Sequence, residues 1–381
     1  MPSTAGFVLD VDKLHQQVAA ARSNAAARTA WEDAPVQAED LPGLWHSSIP
    51  TDVFYQAAAA RRQQLRVMHE TFSPLYMTNT CDAECRMCGM RRSNAALIRE
   101  TARLDDVIDQ LRTLARRGMH AVALLTGEYR QPQRQWAMGY VNQAARAALE
   151  LSFRHVLINV GSIDEDEFPV LLEGVERRED GSVVAKLTMS TFQETYEPGV
   201  YAKFMGNDPE NPRADFERRL VNFDRAFAAG MRVANPGILV GLNPDIAYEM
   251  TALALHSGHL IELGMEVYLS MPRLRRIAGE GSHRTISDDE YLRMVSLLSL
   301  ALPQAKPVIT TREGAAMQQQ LAPIVTVISA GSASVTPYTQ DGARFPLETS
   351  QFEVIDQRPF EAILADHRAR GLVFENFVPA H

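Results

Sequence analysis

The sequence predicts an α/β protein, a TIM-type (β/α)8 barrel. Two observations carry this. Between about residues 73 and 331, eight short apolar runs alternate with helical patterns, which is the count and length that such a barrel needs. Polar residues with useful chemistry also follow nearly every run. They are Cys81 to Cys88, Thr126-Gly127-Glu128, Asn159 to Ser162, Gln193-Glu194, Ser270 with Arg273, Arg312 and Ser329. A doubly wound sheet shows the same alternation, but a barrel gathers all the strand C-termini on one face, where active sites are built.

The elements follow in order. Residues 1–72 read as a helical extension. Asp10 to Trp31 is Ala-rich and helix-prone, Pro35, Pro42 and Pro50 interrupt the chain, and Thr51 to His69 reads as a helix with Thr51 at its N-cap. The expected strands are Leu75–Thr80, Ala121–Leu125, His155–Val160, Val183–Met189, Val233–Val240, Glu266–Met271, Pro307–Thr311 and Thr326–Ser329. The clearest helix between them places Leu104, Val107, Ile108, Leu111, Leu114 and Ala115 on one face. Residues 332–381 are expected to pack on the barrel as a C-terminal extension.

Composition narrows the function. The chain has 381 residues, 46% hydrophobic and 22% charged, enough for a large core. A net charge of −9 argues against a nucleic-acid or anionic-membrane surface. Arg91 and Arg92 read as a local contact or a solvated face. No apolar run reaches about 18 residues, and Met1 to Lys13 lacks a cationic segment leading into an apolar one. The expected location is the cytoplasm.

All three cysteines stand in one C-x3-C-x2-C stretch, Cys81, Cys85 and Cys88. Three thiolates suit an iron-sulfur cluster with one open iron. Structural zinc wants four ligands, and the nearest candidate, His69, lies across an apparent strand. A disulfide would leave one thiol over and needs an oxidising compartment.

Tyr76 to Arg92, Leu125 to Tyr129, Phe192 to Tyr196, Asn235 to Leu242, Pro272 to Arg275, Thr310 to Glu313 and Ser350 to Phe352 together resemble the aromatic amino acid lyases of the radical SAM superfamily. The likeness runs from about residue 70 to 375 and is greatest to the tryptophan lyases that make 3-methyl-2-indolic acid for thiopeptide antibiotics; tyrosine lyases belong to the same branch. It implies a 4Fe-4S cluster on Cys81, Cys85 and Cys88, with S-adenosylmethionine (SAM) chelated to the open iron. Thr126, Gly127 and Glu128 match the loop that receives the methionyl ammonium, and Glu194 and Arg219 match positions for the ribose hydroxyls and SAM carboxylate. Gly237 and Val240 lie in the strand expected against the adenine. Met87 takes the place of the usual aromatic residue before the third cysteine, and a thioether can also pack on an aromatic ring.

On the substrate side, Arg312, Tyr76 and Ser329 match the family's pocket. A guanidinium fork suits an amino acid carboxylate, although a lone Arg often serves in an ordinary ion pair. Tyr76 could bond the substrate amine or its carboxylate; Asn79 and Ser270 are pocket candidates without a role. The implied reaction takes a hydrogen from the amine of L-tryptophan, moves the carboxylate fragment to the indole and loses Cα with its nitrogen. The alternative is Cα–Cβ cleavage of tyrosine or another amino acid. Either would draw electrons from a flavodoxin- or ferredoxin-type donor.

Overall fold

The computed structural model describes residues 6–23, 35–66, 68–280, 286–331, 335 and 346–379. Eight parallel strands close on themselves in chain order: β1 Glu70–Tyr76, β2 Ala121–Leu125, β3 His155–Asn159, β4 Leu187–Ser190, β5 Val233–Asn235, β6 Glu266–Ser270, β7 Lys306–Ile309 and β8 Val327–Ser329. Closure is made by β1 and β8, with Glu70 opposite Val327 and Phe72 opposite Ser329. The TIM-type barrel expected from the alternation is therefore the fold.

The register of three strands differs from expectation, for local reasons. β1 begins at Glu70, five residues before the expected Leu75, and ends at Tyr76. Pro74 reads as a strand breaker because it has no N–H, yet β8 pairs only Glu70–Phe72, so beyond that point no ladder bond to β8 is lost. β5 stops at Asn235 because Pro236 interrupts it; its expected continuation survives as isolated bridges of Gly237 with Ser270 and of Val240 with Arg273. Val183 joins Arg177 in an antiparallel bridge, and β4 starts only at Leu187.

The amphipathic helix Leu104–Arg116 forms as expected, with Val107, Leu111 and Leu114 buried. In the N-terminal part, Val11–Ser23 and Thr51–Leu65 are helices; the stretch from 24 to Trp31 lies outside the described residues. Thr51 is the first helical residue rather than the cap: Pro50 holds the cap position, and the Thr51 hydroxyl bonds Asp289 at 3.0 Å. The helix ends at Arg66, in the left-handed region at φ 49°, and His69 bridges Phe374.

C-terminal residues cover both ends of the barrel. At the strand N-termini, Phe377 bridges Met119, and the Val378 amide donates to the Gly118 carbonyl at 2.9 Å. At the opposite end, Ser350 and Gln351 lie against the cysteine loop. No described helix is long and apolar enough to cross a membrane.

Candidate active site

The cysteine loop leaves β1 and is held by its own backbone groups. Asn79 donates to the Ile98 carbonyl at 2.8 Å and accepts from the Glu100 amide at 2.7 Å. The Arg99 guanidinium donates to the carbonyls of Asn79, Met90, Arg91 and Arg92. Asn79 is thus a scaffold of the loop rather than a wall of the pocket. Arg91 pairs with Glu280 at 2.8 Å and Arg92 with Glu84 at 3.4 Å, both local contacts.

Gly127 fixes how closely the loop after β2 meets the cysteines. A Cβ there would lie 2.0 Å from the Thr80 carbonyl oxygen and 2.8 Å from Cys81 Cα, so only glycine fits. This approach brings the Glu128 amide to 3.3 Å from Cys81 Sγ, while the Ala83 amide donates to the same sulfur at 3.4 Å. The Gln351 side-chain amide donates to Cys88 Sγ at 3.5 Å. The three thiols line a cavity of about 420 Å3 together with Thr126, Gly127, Glu128 and Arg213. Burial pushes the Cys81 thiol up to about 12 and raises Cys85 and Cys88 as well.

The Glu128 carboxylate faces cations. Oε1 accepts the Ser162 amide at 3.0 Å, and Oε2 pairs with Arg219 at 3.2 Å and lies 3.6 Å from Arg213. Arg219 also donates to the Phe192 carbonyl at 2.7 Å, so much of its fork is occupied within the protein. Arg213, which no strand-end pattern announced, bonds Glu194 at 2.6 Å and lines both this cavity and the larger one beside it. Glu194 sits in the left-handed region at φ 71°, held by the Gly237 and Leu239 backbones. Such backbone costs on the order of 1–3 kcal/mol and clusters at functional sites.

The larger cavity, about 1060 Å3, opens over the barrel's C-terminal face and meets the cysteine cavity at Cys88, Arg213 and Gln351. Met87, Glu194, Arg219, Tyr76, Arg312 and Ser329 all line it, as does Ser270. Gly237 and Val240 do not: both are built into the wall behind, and Leu239 presents the side chain. A Cβ on Gly237 would come within 2.6 Å of the Ser270 carbonyl, so its small size serves strand packing.

Arg312 has no carboxylate within ion-pair distance among the described residues. Its neighbour Glu313 is taken by Arg273 and Arg275. The Arg312 guanidinium instead lies over the Phe352 ring, 3.4 Å from the centroid, with one N–H to the Arg273 carbonyl at 3.4 Å. Burial lowers its pKa to about 10, against the opposing pull of Tyr76 and Glu194. The ion-pair alternative for this residue is not what the structure shows. Tyr76 donates to Gln351 Oε1 at 3.0 Å, and burial raises its pKa, keeping it a neutral phenol.

Residues 270–373 match the family model of the Biotin and Thiamin Synthesis associated domain. The 2-iminoacetate synthase of Escherichia coli K12 is 27% identical over 326 residues, spanning 83% of this chain and 80% of that one. The crystal structure of HydG, a maturase of the FeFe-hydrogenase, superposes with a TM-score of 0.79 at 25% identity, over 95% of this chain and 79% of that one. The chain is thus similar over most of its length to two enzymes of the radical SAM aromatic amino acid lyase kind. Methylornithine synthase shares the fold at 17% identity, with a TM-score of 0.69 over 93% of this chain and 97% of that one.

Radical SAM proteins of this kind use a 4Fe-4S cluster and S-adenosylmethionine, and these are the cofactors here. The thiols fit that cluster better than zinc. Among the described residues, no three His, Cys, Asp or Glu side chains are grouped so as to hold one metal ion, whereas a cluster presents separate irons to separate thiolates. The amides aimed at Cys81 Sγ are the donors that a ligating thiolate accepts from, and ligation would release the protons that burial keeps on the thiols.

Sequence reasoning missed Arg213, Arg99 and the role of Gln351. Arg213 and Arg99 lie in irregular loops where no periodicity marks a position. Gln351 stood within a matched motif but far from any strand end.

Proposed function

We infer that the protein is a radical SAM carbon-carbon lyase acting on an aromatic amino acid, with L-tryptophan as substrate and 3-methyl-2-indolic acid as product. The observation that carries this is Arg312, a guanidinium with no carboxylate partner among the described residues, in a cavity continuous with the three thiols. In this reading Cys81, Cys85 and Cys88 hold the cluster. Bound there, the cluster and SAM supply a carbon radical able to take a hydrogen atom from the substrate amine.

The chain's own residues bind and orient. Arg312 grips the substrate carboxylate with two parallel N–H donors, and the Phe352 ring stacked on the guanidinium orients the fork. Tyr76 and Ser329 flank the amino acid end. Phe72, Ala123, Leu157 and Val308 line an apolar wall for the indole, while Ser190, Asn235 and Ser270 on the other side bond one another. The carboxylate grip first sets the amine near the cofactor and then guides the migrating fragment. Arg213, beside Glu194, is a candidate for the SAM carboxylate or ribose, alongside Met87, Leu239 and the Thr126-Gly127-Glu128 loop. A flavodoxin- or ferredoxin-type protein supplies the electrons.

The second reading, Cα–Cβ cleavage of tyrosine or another amino acid, is favoured by the likeness to 2-iminoacetate synthase. A site built for a phenol would leave its hydrogen-bond partner unpaired against an indole. The test is anaerobic incubation of reconstituted protein with SAM, dithionite and each aromatic amino acid in turn. Tryptophan should yield 5′-deoxyadenosine, methionine and 3-methyl-2-indolic acid. p-Cresol from tyrosine with tryptophan inert would select the second reading. Substitution of any one cysteine by Ala should abolish both cluster absorbance and SAM cleavage.

A further inference from the structure

We propose that Gln351 is a positioning residue that joins the cluster ligand Cys88 to Tyr76, and that its amide makes Tyr76 an acceptor for the substrate amine. The proposal rests on the lyase reading above and deepens it.

The geometry is a three-member chain. Gln351 Nε2 lies 3.5 Å from Cys88 Sγ, and Gln351 Oε1 lies 3.0 Å from the Tyr76 hydroxyl. The Gln351 backbone carbonyl accepts the Gly89 amide at 2.8 Å, which anchors the residue independently of its side chain. A Cβ on Gly89 would lie 2.8 Å from the carbonyl oxygens of both Ser350 and Gln351, so the loop and this segment are packed backbone to backbone.

Hydrogen-bond directions then follow from chemistry. A ligating thiolate only accepts, so the amide must turn its NH2 to Cys88. Its oxygen is thereby turned to Tyr76, and the single phenolic proton is used on that oxygen. The Tyr76 lone pairs are what remain for the cavity. They can accept an N–H but cannot donate to a carboxylate. Tyr76 and Arg312 therefore read opposite ends of the amino acid: Tyr76 takes the amine and Arg312 the carboxylate.

The same bond bears on the cofactor. Hydrogen bonds to ligand sulfurs are among the levers that set a cluster's reduction potential, and a donor to Cys88 stabilises the reduced, more negative state. Two measurements on the reconstituted full-length protein test the proposal. The first is an EPR-monitored redox titration without amino acid, comparing wild type with Gln351→Leu, Gln351→Glu and Tyr76→Phe. Both Gln351 variants should shift the midpoint to more negative potential, and Tyr76→Phe should leave it near wild type. The second is calorimetric binding of L-tryptophan and of 3-(indol-3-yl)propanoate, which lacks the amine. Tyr76→Phe should weaken tryptophan about tenfold, the loss of one hydrogen bond, and leave the propanoate unchanged.

An unshifted potential in both Gln351 variants would overturn the link to Cys88. Equal weakening of both ligands in Tyr76→Phe would overturn the amine assignment. Failure of the underlying reading looks different: the wild-type protein would then hold no cluster or bind neither indole compound. Gln351→Glu guards against a packing defect in Gln351→Leu, because it keeps the side-chain length.

Discussion

At the scale of single residues, Arg312 shows how a neighbour occupied elsewhere can leave a guanidinium without a carboxylate partner among the described residues. Glu313 is the nearest carboxylate in sequence, and Arg273 and Arg275 both hold it. Arg312 is left half-buried, charged and stacked on Phe352. Arg312→Lys should lower kcat/KM by roughly tenfold to a few hundredfold, through one or two charge-assisted bonds of about 1.5–3 kcal/mol. A point ammonium cannot reproduce the fork, and the burial that lowers Arg312 would also drive a lysine toward its neutral form. Iron content per chain should stay at the wild-type value. Normal turnover in this variant would remove Arg312 from the substrate site.

At the scale of elements, the helix Ile246–Glu262 meets the N-terminal segment through several rings, Tyr248 on His15 and both His256 and His259 on Phe7. His256 stacks on Phe7 with ring centroids 4.4 Å apart, and its Nδ1 meets the Tyr196 hydroxyl at 2.7 Å. Burial lowers its pKa from 6.5 to about 3, with Asp224 pulling upward and His259 adding to the depression. The unfolded chain therefore takes up this proton near pH 6.5, where the folded chain does not. The associated stability is complete above pH 6.5 and is lost as the pH falls toward about 3. Thermal unfolding between pH 6.5 and 4 should have a shallower pH slope in His256→Gln than in wild type; equal slopes would show that His256 is not a titrating contributor. The elements also show what could be read in advance. The helix Leu104–Arg116 and β2 were legible because each is a single-period pattern undisturbed by Gly or Pro. β1 was shifted by Pro74, and the continuation of β5 was overextended across Pro236, because a missing N–H matters only where a neighbouring strand needs it. That the three cysteines share one pocket was legible from local spacing. Arg213 and Gln351 were not, since their importance arises from contacts between loops distant in sequence.

At the scale of the whole molecule, the two barrel ends divide the labour. The end away from the cavity holds a buried ionic cluster in which Glu70 is bonded by Lys186, Lys306 and Tyr268, with His155 at 3.6 Å. Glu70→Gln would leave Lys186 and Lys306 with Glu266 as their remaining counter-charge and should cost about 1–3 kcal/mol of stability through weakened charge-assisted hydrogen bonds, seen as a lower denaturant midpoint. Cluster content and turnover of the folded fraction should be retained, since this network belongs to the stabilising face of the barrel. The strap at the other end has a consequence for biosynthesis. Cys88 and Tyr76 meet Gln351 across separations of 263 and 275 residues. A nascent chain exposes its thiols early but lacks Gln351, which covers them, until 263 residues beyond Cys88 have been made. Cluster delivery to the complete pocket thus belongs after that segment has emerged, and until then the emerging thiols depend on a reducing milieu or a chaperone for protection from oxidation.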